Sequence, residues 1–183
     1  MEKLVLIDGH SILNRAFYGV PNLTNSEGLH TNAVYGFLNI LFKVLDEEKA
    51  DYLAVAFDLK APTFRHKMFD AYKGTRKPMP EELHEQVPLM KEVLTAMGVP
   101  ILTKEGYEAD DILGTIAKRE QKDGYEVTIL SGDRDLLQLS DTHIRICLPK
   151  TSRGTTEVHN YYPEDVKREY QVTPAEFIDV KAL

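Results

Sequence analysis

Seven carboxylates follow apolar runs along this chain. Asp8 closes the run Leu4–Ile7, and Asp58 closes DYLAVAFD at 51–58. Glu108, Asp110 and Asp111 stand together in YEADD at 107–111, and Asp133 and Asp135 stand in SGDRD at 131–135. Each has a structural reading when taken alone. Asp is a common turn residue after a strand. Acids in the first turn of a helix complement its dipole and bind its free N–H groups. Gathered at one place they need more than that, because like charges in a shared site oppose one another's ionisation. An all-oxygen ligand set without a matching His or Cys cluster suits Mg²⁺ or Mn²⁺ rather than zinc. Two such ions, roughly 4 Å apart, suit hydrolysis of a phosphodiester.

The elements needed to gather these acids are legible in the apolar pattern. Short runs at Lys3–Asp8, Asp51–Asp58, Val99–Thr103, Glu126–Ser131 and His143–Leu148 predict strands. Helical spacing marks Thr31–Glu48, Pro80–Met97, which Gly98 follows, and Glu108–Lys122, which stops at Gly124. A polar stretch at Thr151–Glu157 predicts a hairpin or loop, and Pro163–Tyr170 and Pro174–Leu183 predict two further helices. Strand–helix alternation with Val/Ile/Leu-rich strands predicts an α/β fold, with a mainly parallel sheet covered by helices on both faces. Ligands of such sheets bind beyond the carboxyl ends of the strands, where these acids are expected.

Charge is unevenly distributed. The net charge of −7 is unusual for a nucleic-acid binder, yet residues 60–77 carry six cations (Lys60, Arg65, Lys67, Lys73, Arg76 and Lys77) against Asp70 alone. That segment is +5 and the remainder −12. A basic strip beside an acid cluster suits phosphate contact, and a solvated charged loop is its plainer reading. With no anion to order it, the strip is expected to be mobile. An apolar share of 43% and a charged share of 28% are ordinary for a soluble domain, and 183 residues suffice for one core. The single cysteine, Cys147, excludes a disulfide framework and suits a reducing cytoplasm. The four apolar residues at 4–7 are too few for a signal peptide or membrane span.

Six segments together resemble the 5′-nuclease (flap endonuclease-like) family, in the form of the bacterial polymerase I exonuclease domains. They are LIDGHSILNRAFY (6–18), AFDLKAPTFRHKMFDAYKGTRKPMP (56–80), GYEADDILGTIA (106–117), VTILSGDRDLLQL (127–139), HNYY (159–162) and FIDVKAL (177–183). They span essentially the whole chain. The resemblance implies a three-layer α/β/α, PIN-like or resolvase-like fold, with a helical arch inserted at about 61–80. It implies a first metal site at Asp8, Asp58, Glu108 and Asp110, and a second at Asp110, Asp133 and Asp135 with Asp111 in support. Lys73 would reach the scissile phosphate, helped by Arg76 and Lys77. Tyr72 would stack on a terminal base, and Arg65 would contact phosphate. The implied substrate is DNA with 5′ flaps, nicks or 5′ ends, with RNA primer strands in RNA–DNA hybrids, and the implied state is a cytoplasmic monomer.

The family pattern continues with a Gly-Asp-x-x-Asp-Asn stretch and a helix-three-turn-helix module, and in polymerases with further regions. None falls within residues 1–183, which read as the N-terminal portion of one catalytic domain. The second ion is therefore expected to bind weakly. Two alternatives stay open. One is a DNA-binding fragment without catalysis. The other is a haloacid-dehalogenase-like phosphatase, whose Asp-x-Asp pattern would need an acid where His10 stands. His10 itself is expected to be a satisfied loop histidine.

Overall fold

The computed structural model describes residues 1–152 and 155–183. In chain order the elements are β1 (Lys3–Asp8), α1 (Gly9–Gly19), α2 (Asn32–Glu48), β2 (Tyr52–Ala56), α3 (Phe64–Met68), α4 (Glu81–His84), α5 (Gln86–Ala96), β3 (Ile101–Leu102) and α6 (Ala109–Lys122). There follow β4 (Glu126–Leu130), a 3₁₀ turn (Arg134–Leu139), β5 (Ile144–Ser152), β6 (Thr155–Tyr161), α7 (Pro163–Tyr170) and α8 (Phe177–Ala182).

The six strands lie in the order β3-β2-β1-β4-β5-β6, with β1 to β5 parallel and β6 antiparallel at the edge. Strand β1 shows why the sheet is covered twice. Its side chains alternate between faces, and both faces are apolar. Val5 and Ile7 join Phe37, Leu41, Met90 and Leu94 of α2 and α5, whereas Leu6 joins Leu113, Ala117 and Leu137 beneath α6 and the 3₁₀ turn. The three-layer α/β/α expectation holds. Among the described residues no helix is long and apolar enough to cross a membrane.

Strand β2 flanks β1 on one side and β4 on the other, so the direction of winding reverses at β1. The ends of β1 and β4 therefore frame a crevice, the place where ligands enter such sheets.

Three local features differ from the sequence reading. The helix expected over Pro80–Met97 divides at Glu85 into α4 and α5. Pro88, in the first turn of α5, has no N–H for the His84 carbonyl, so the ladder is interrupted there. Helix α1 was not anticipated; Asp8 caps it, accepting from Ser11 N at 3.2 Å. The arch segment 61–80 contains one five-residue helix, α3, followed by turns. The polar stretch at 151–157, expected as a hairpin or loop, lies at the end of a long antiparallel pair that runs from Ile146↔Tyr161 to Ser152↔Thr155, with Arg153 and Gly154 outside the described residues. At Gly36 a side-chain carbon would lie 2.8 Å from the Ala16 Cβ, so this glycine lets α2 approach α1.

Candidate metal centre

The first turn of α6 is where the acids converge. Asp58, two residues past β2, accepts the Ala109 N–H on Oδ1 at 2.7 Å and so covers the helix N-terminus. Glu108, Asp110 and Asp111 present oxygens that all lie within 4.8 Å of one another. Asp111 also accepts the Glu108 N–H on Oδ2 at 3.0 Å, which closes the helix start. The partial positive charge of a helix N-terminus tempers this crowding without removing it.

Asp8 enters from the end of β1 and is 9% exposed. Ser131, at the end of β4, donates its hydroxyl to Asp8 Oδ2 at 3.1 Å. Ser131 Oγ in turn accepts the Asp133 N–H at 3.1 Å, and Ser11 Oγ accepts the Gly132 N–H at 2.8 Å. Ser11 and Ser131 thus fix Asp8 relative to Asp133. Sequence reasoning did not single them out, although they sit in the DGHS and LSGD stretches where an acid-positioning hydroxyl could be sought.

A cleft of about 510 Å³ is lined by Asp8, Asp58, Glu108, Asp110 and Asp133, together with Asn14, Tyr18, Lys73, Arg76 and Lys77. Among the described residues lining it, Asp135 is not found; that carboxylate is held by Lys181 of α8 at 2.7 Å. A second cavity, of about 640 Å³, lies under residues 59–76 and shares Asp58, Lys73, Arg76 and Glu108 with the first.

The electrostatics divide the acids into two groups. Burial, then the charges of Asp58 and Asp110, pushes the Asp8 carboxyl up to about 7, against the bonds from Ser11 and Ser131. Burial also raises Asp110, with Asp111 and Glu108 adding repulsion. Its Oδ1 is buried with no hydrogen-bond partner. Glu108 and Asp111 go the other way. Burial alone would raise Glu108, but Lys73, Tyr72 and Arg65 bring it below the usual carboxylate range. The Arg65 hydrogen bond lowers Asp111. An orphaned buried oxygen on Asp110 and an acid at Asp8 that resists ionisation are what a site tuned to a cation shows in its own side chains. The all-oxygen donor set fits a hard divalent ion.

The basic segment meets these acids directly. Arg65 grips Asp111 in a fork, 2.7 and 2.8 Å, and reaches Glu108 at 2.6 Å. Lys73 pairs with Glu108, and the Tyr72 hydroxyl donates to it at 3.1 Å. The expectation of a strip with no anion to order it is thereby corrected: Glu108 and Asp111 are its anions. Tyr72 is half-buried against His66, at 5.2 Å between ring centroids, rather than presenting a bare face. Arg76 and Lys77 are exposed and, among the described residues, make no ion pair. His10 lies in α1, not a loop, and its Nδ1 accepts the Asp58 N–H at 3.3 Å, which satisfies it as expected.

A carboxylate cleft at the winding reversal of a resolvase-like sheet, rimmed by a basic insertion, is the class of site this fold carries. The profile of the 5′-3′ exonuclease, N-terminal resolvase-like domain matches residues 3–171, and the chain belongs to that family. DNA polymerase I of Bacillus subtilis is 49% identical over 182 residues, and that of Bacillus caldotenax 48% over 182 residues. Each alignment covers 100% of this chain and 20% of the relative, so the chain spans about a fifth of the polymerases it matches. Among solved structures, the bacteriophage T5 flap endonuclease in a pseudo-enzyme–product complex with DNA and metal ions superposes with a TM-score of 0.74 at 23% identity. That match covers 99% of this chain and 65% of the phage chain. The T5 5′-exonuclease with bound zinc gives 0.71 at 22% identity, covering 100% and 66%. At that distance the two structures establish the fold. Family membership sets aside the phosphatase alternative.

Proposed function

We propose that this chain is the catalytic part of a metal-dependent, structure-specific 5′-nuclease. It hydrolyses DNA phosphodiesters at 5′ flaps, nicks and 5′ ends, and also acts on RNA primer strands in RNA–DNA hybrids, during primer removal and repair. The observation that carries this reading is a single cleft joining five carboxylates to Lys73, Arg76 and Lys77. The names of its relatives and structural neighbours agree with it: polymerases, an exonuclease and a flap endonuclease with DNA and metal ions. Lack of disulfide chemistry fits work in the cytoplasm, and the reading takes the chain as a monomer with residues 61–80 as the arch or clamp.

Asp8, Asp58, Glu108 and Asp110 would hold the first Mg²⁺ or Mn²⁺ ion. Asp110 and Asp133 would hold a second, with Asp135 once released from Lys181; Asp111, to which the resemblance gives a supporting part, has both oxygens engaged by Arg65. Bound divalent ions supply a water of lowered pKa and neutralise charge that develops on phosphoryl oxygens. The protein's own part is to place the phosphate. Lys73 offers a point charge beside Glu108, and Arg76 and Lys77 line the open wall where a strand enters. Arg76 can grip two phosphate oxygens with its planar fork. Tyr72 would stack on a terminal base once its ring leaves His66 and Glu108, a contact tolerant of sequence and therefore suited to reading structure. The phosphate contact that the resemblance gives Arg65 is not part of this scheme, because its guanidinium is taken up by Asp111 and Glu108.

The Asp135–Lys181 pair favours one variation on this reading, in which the chain alone binds DNA and cleaves it poorly for want of a firm second ion. Asp58→Ala separates the parts. It removes a proposed ligand and the Ala109 cap, at a stability cost of about 1 kcal/mol, while leaving the basic wall intact. Flap cleavage should disappear and affinity for flapped DNA should stay measurable. Cleavage near the wild-type rate would take Asp58 out of the metal site.

A further inference from the structure

The arch is fastened to α6 at its root, and the fastening uses two residues to which the family resemblance gives other tasks. Phe64 N–H donates to Gly106 O at 2.9 Å, and the Phe64 and Tyr107 rings meet at 5.6 Å. The next residue, Arg65, lays its guanidinium over the Phe64 ring at 4.5 Å and forks onto Asp111. No oxygen of Asp111 is left over: Oδ1 takes Arg65 NH2, and Oδ2 takes Arg65 NH1 and the Glu108 N–H. Its neighbour Asp110 has an oxygen with no donor at all. The two adjacent acids are therefore built for different work, Asp110 facing the cleft and Asp111 holding the arch.

Fixing the root fixes what hangs from it. Arg65 also reaches Glu108, so one guanidinium spans the anchor and a proposed ligand. Beyond α3 the chain turns back, with Lys73 in the left-handed region at φ 57°, and brings Lys73 and Tyr72 onto that same Glu108. A planar, always-charged fork holds an orientation that a flexible ammonium cannot.

Resting on the nuclease reading, we propose that Arg65 is a positioning residue: through its fork on Asp111 it locks the root of the arch to the start of α6, and so sets where Lys73 and the Glu108 carboxylate stand for the reaction.

Arg65→Gln, Asp111→Asn and the double variant form a cycle, and Arg65→Lys keeps the charge without the fork. Four quantities are read. They are amide exchange over residues 64–76 without DNA, Mn²⁺ affinity by titration, affinity for a flapped duplex in EDTA, and the single-turnover rate at saturating DNA. The rate is measured in Bacillus subtilis DNA polymerase I carrying this chain in place of its matching segment. Each single variant should speed exchange by about tenfold, and the double no further, since the pair acts as one unit. The rate should fall by roughly 10- to 100-fold, as for a misplaced catalytic group. Arg65→Lys should behave like Arg65→Gln, and DNA affinity should change little. Unchanged exchange, or effects that add in the double variant, would overturn the proposal. So would a loss of DNA affinity in Arg65→Gln alone, which would make Arg65 a phosphate contact. A loss of Mn²⁺ affinity in Asp111→Asn alone would make Asp111 a ligand and overturn it too. If the wild-type hybrid does not cleave while exchange follows the cycle as expected, the nuclease reading fails and the fastening stands.

Discussion

Replacing Asp8 by Asn should stabilise the metal-free protein at neutral pH while destroying its proposed function. Asp8 is buried, and its carboxyl is pushed from 3.8 up to about 7. A shift of about 3 units, at roughly 1.4 kcal/mol per unit, is worth on the order of 4 kcal/mol. The sign follows from proton binding. The folded acid keeps its proton where the unfolded one has lost it, so stability is fully present below pH 3.8. It falls as pH rises through the window from 3.8 to about 7, and is level above. Asn cannot ionise, yet its carbonyl can still accept the Ser11 N–H, and Asn caps a helix as well as Asp does. Urea unfolding of both proteins in EDTA, from pH 4 to 8, is the assay. The two should be nearly equal at pH 4, with the variant ahead by about 2–4 kcal/mol at pH 7.5. Added Mn²⁺ should reverse the order by stabilising the wild type, by about 4.1 kcal/mol at a thousandfold excess over Kd. Parallel curves across the pH range, or a variant less stable than wild type at pH 7.5 in EDTA, would refute the reasoning.

Lys73→Ala and Arg76→Ala should each lower the single-turnover cleavage rate at saturating DNA by roughly 10²-fold; a loss confined to affinity would make them general phosphate contacts. Calorimetric titration with Mn²⁺ should resolve two unequal sites, because Asp135 is engaged by Lys181 while Asp8, Asp58, Glu108 and Asp110 share one cleft; two equally tight sites would contradict this. Gly9→Ala should cost about 1–3 kcal/mol in urea unfolding, because its new carbon would lie 2.5 Å from the Phe57 ring; an unchanged midpoint would show that the ring can move aside.

What the sequence disclosed was local. β1, β2 and α6 were readable because their apolar spacing repeats within a few residues, and Asp8 and Asp58 could be placed because they follow such runs. The division at Glu85 was readable in principle from Pro88, but helical spacing on both sides masked it. Most of the site's wiring was not legible. Asp8 depends on Ser131, 123 residues away, and Arg65 on Asp111, 46 residues away. No pattern of spacing announces such pairs, since they arise only when the sheet order brings β1 beside β4 and the arch across α6. Buried Gln86 is another instance: it accepts the Ala33 and Val34 N–H groups at 2.8 and 3.2 Å and so closes the start of α2 from a helix 52 residues on. A glutamine in a helical pattern reads as surface. The basic strip was read correctly as a strip, but its partners were taken to be absent when they lie in the acid cluster beside it.

The central claim is that these carboxylates and this basic wall form a metal-dependent nuclease. Its most direct test is flap cleavage by Bacillus subtilis DNA polymerase I with residues 1–183 of this chain in place of its own matching segment, followed with Mn²⁺ and with EDTA. Amide-exchange protection across β1, β2 and α6 of the exchanged segment serves as the folding control. The hybrid should release 5′ flaps only with the metal, and Asp58→Ala should abolish release while polymerisation continues. A hybrid whose exchanged segment is protected as in a folded domain but that leaves flaps intact in Mn²⁺, or one whose cleavage survives EDTA or Asp58→Ala, would contradict the account.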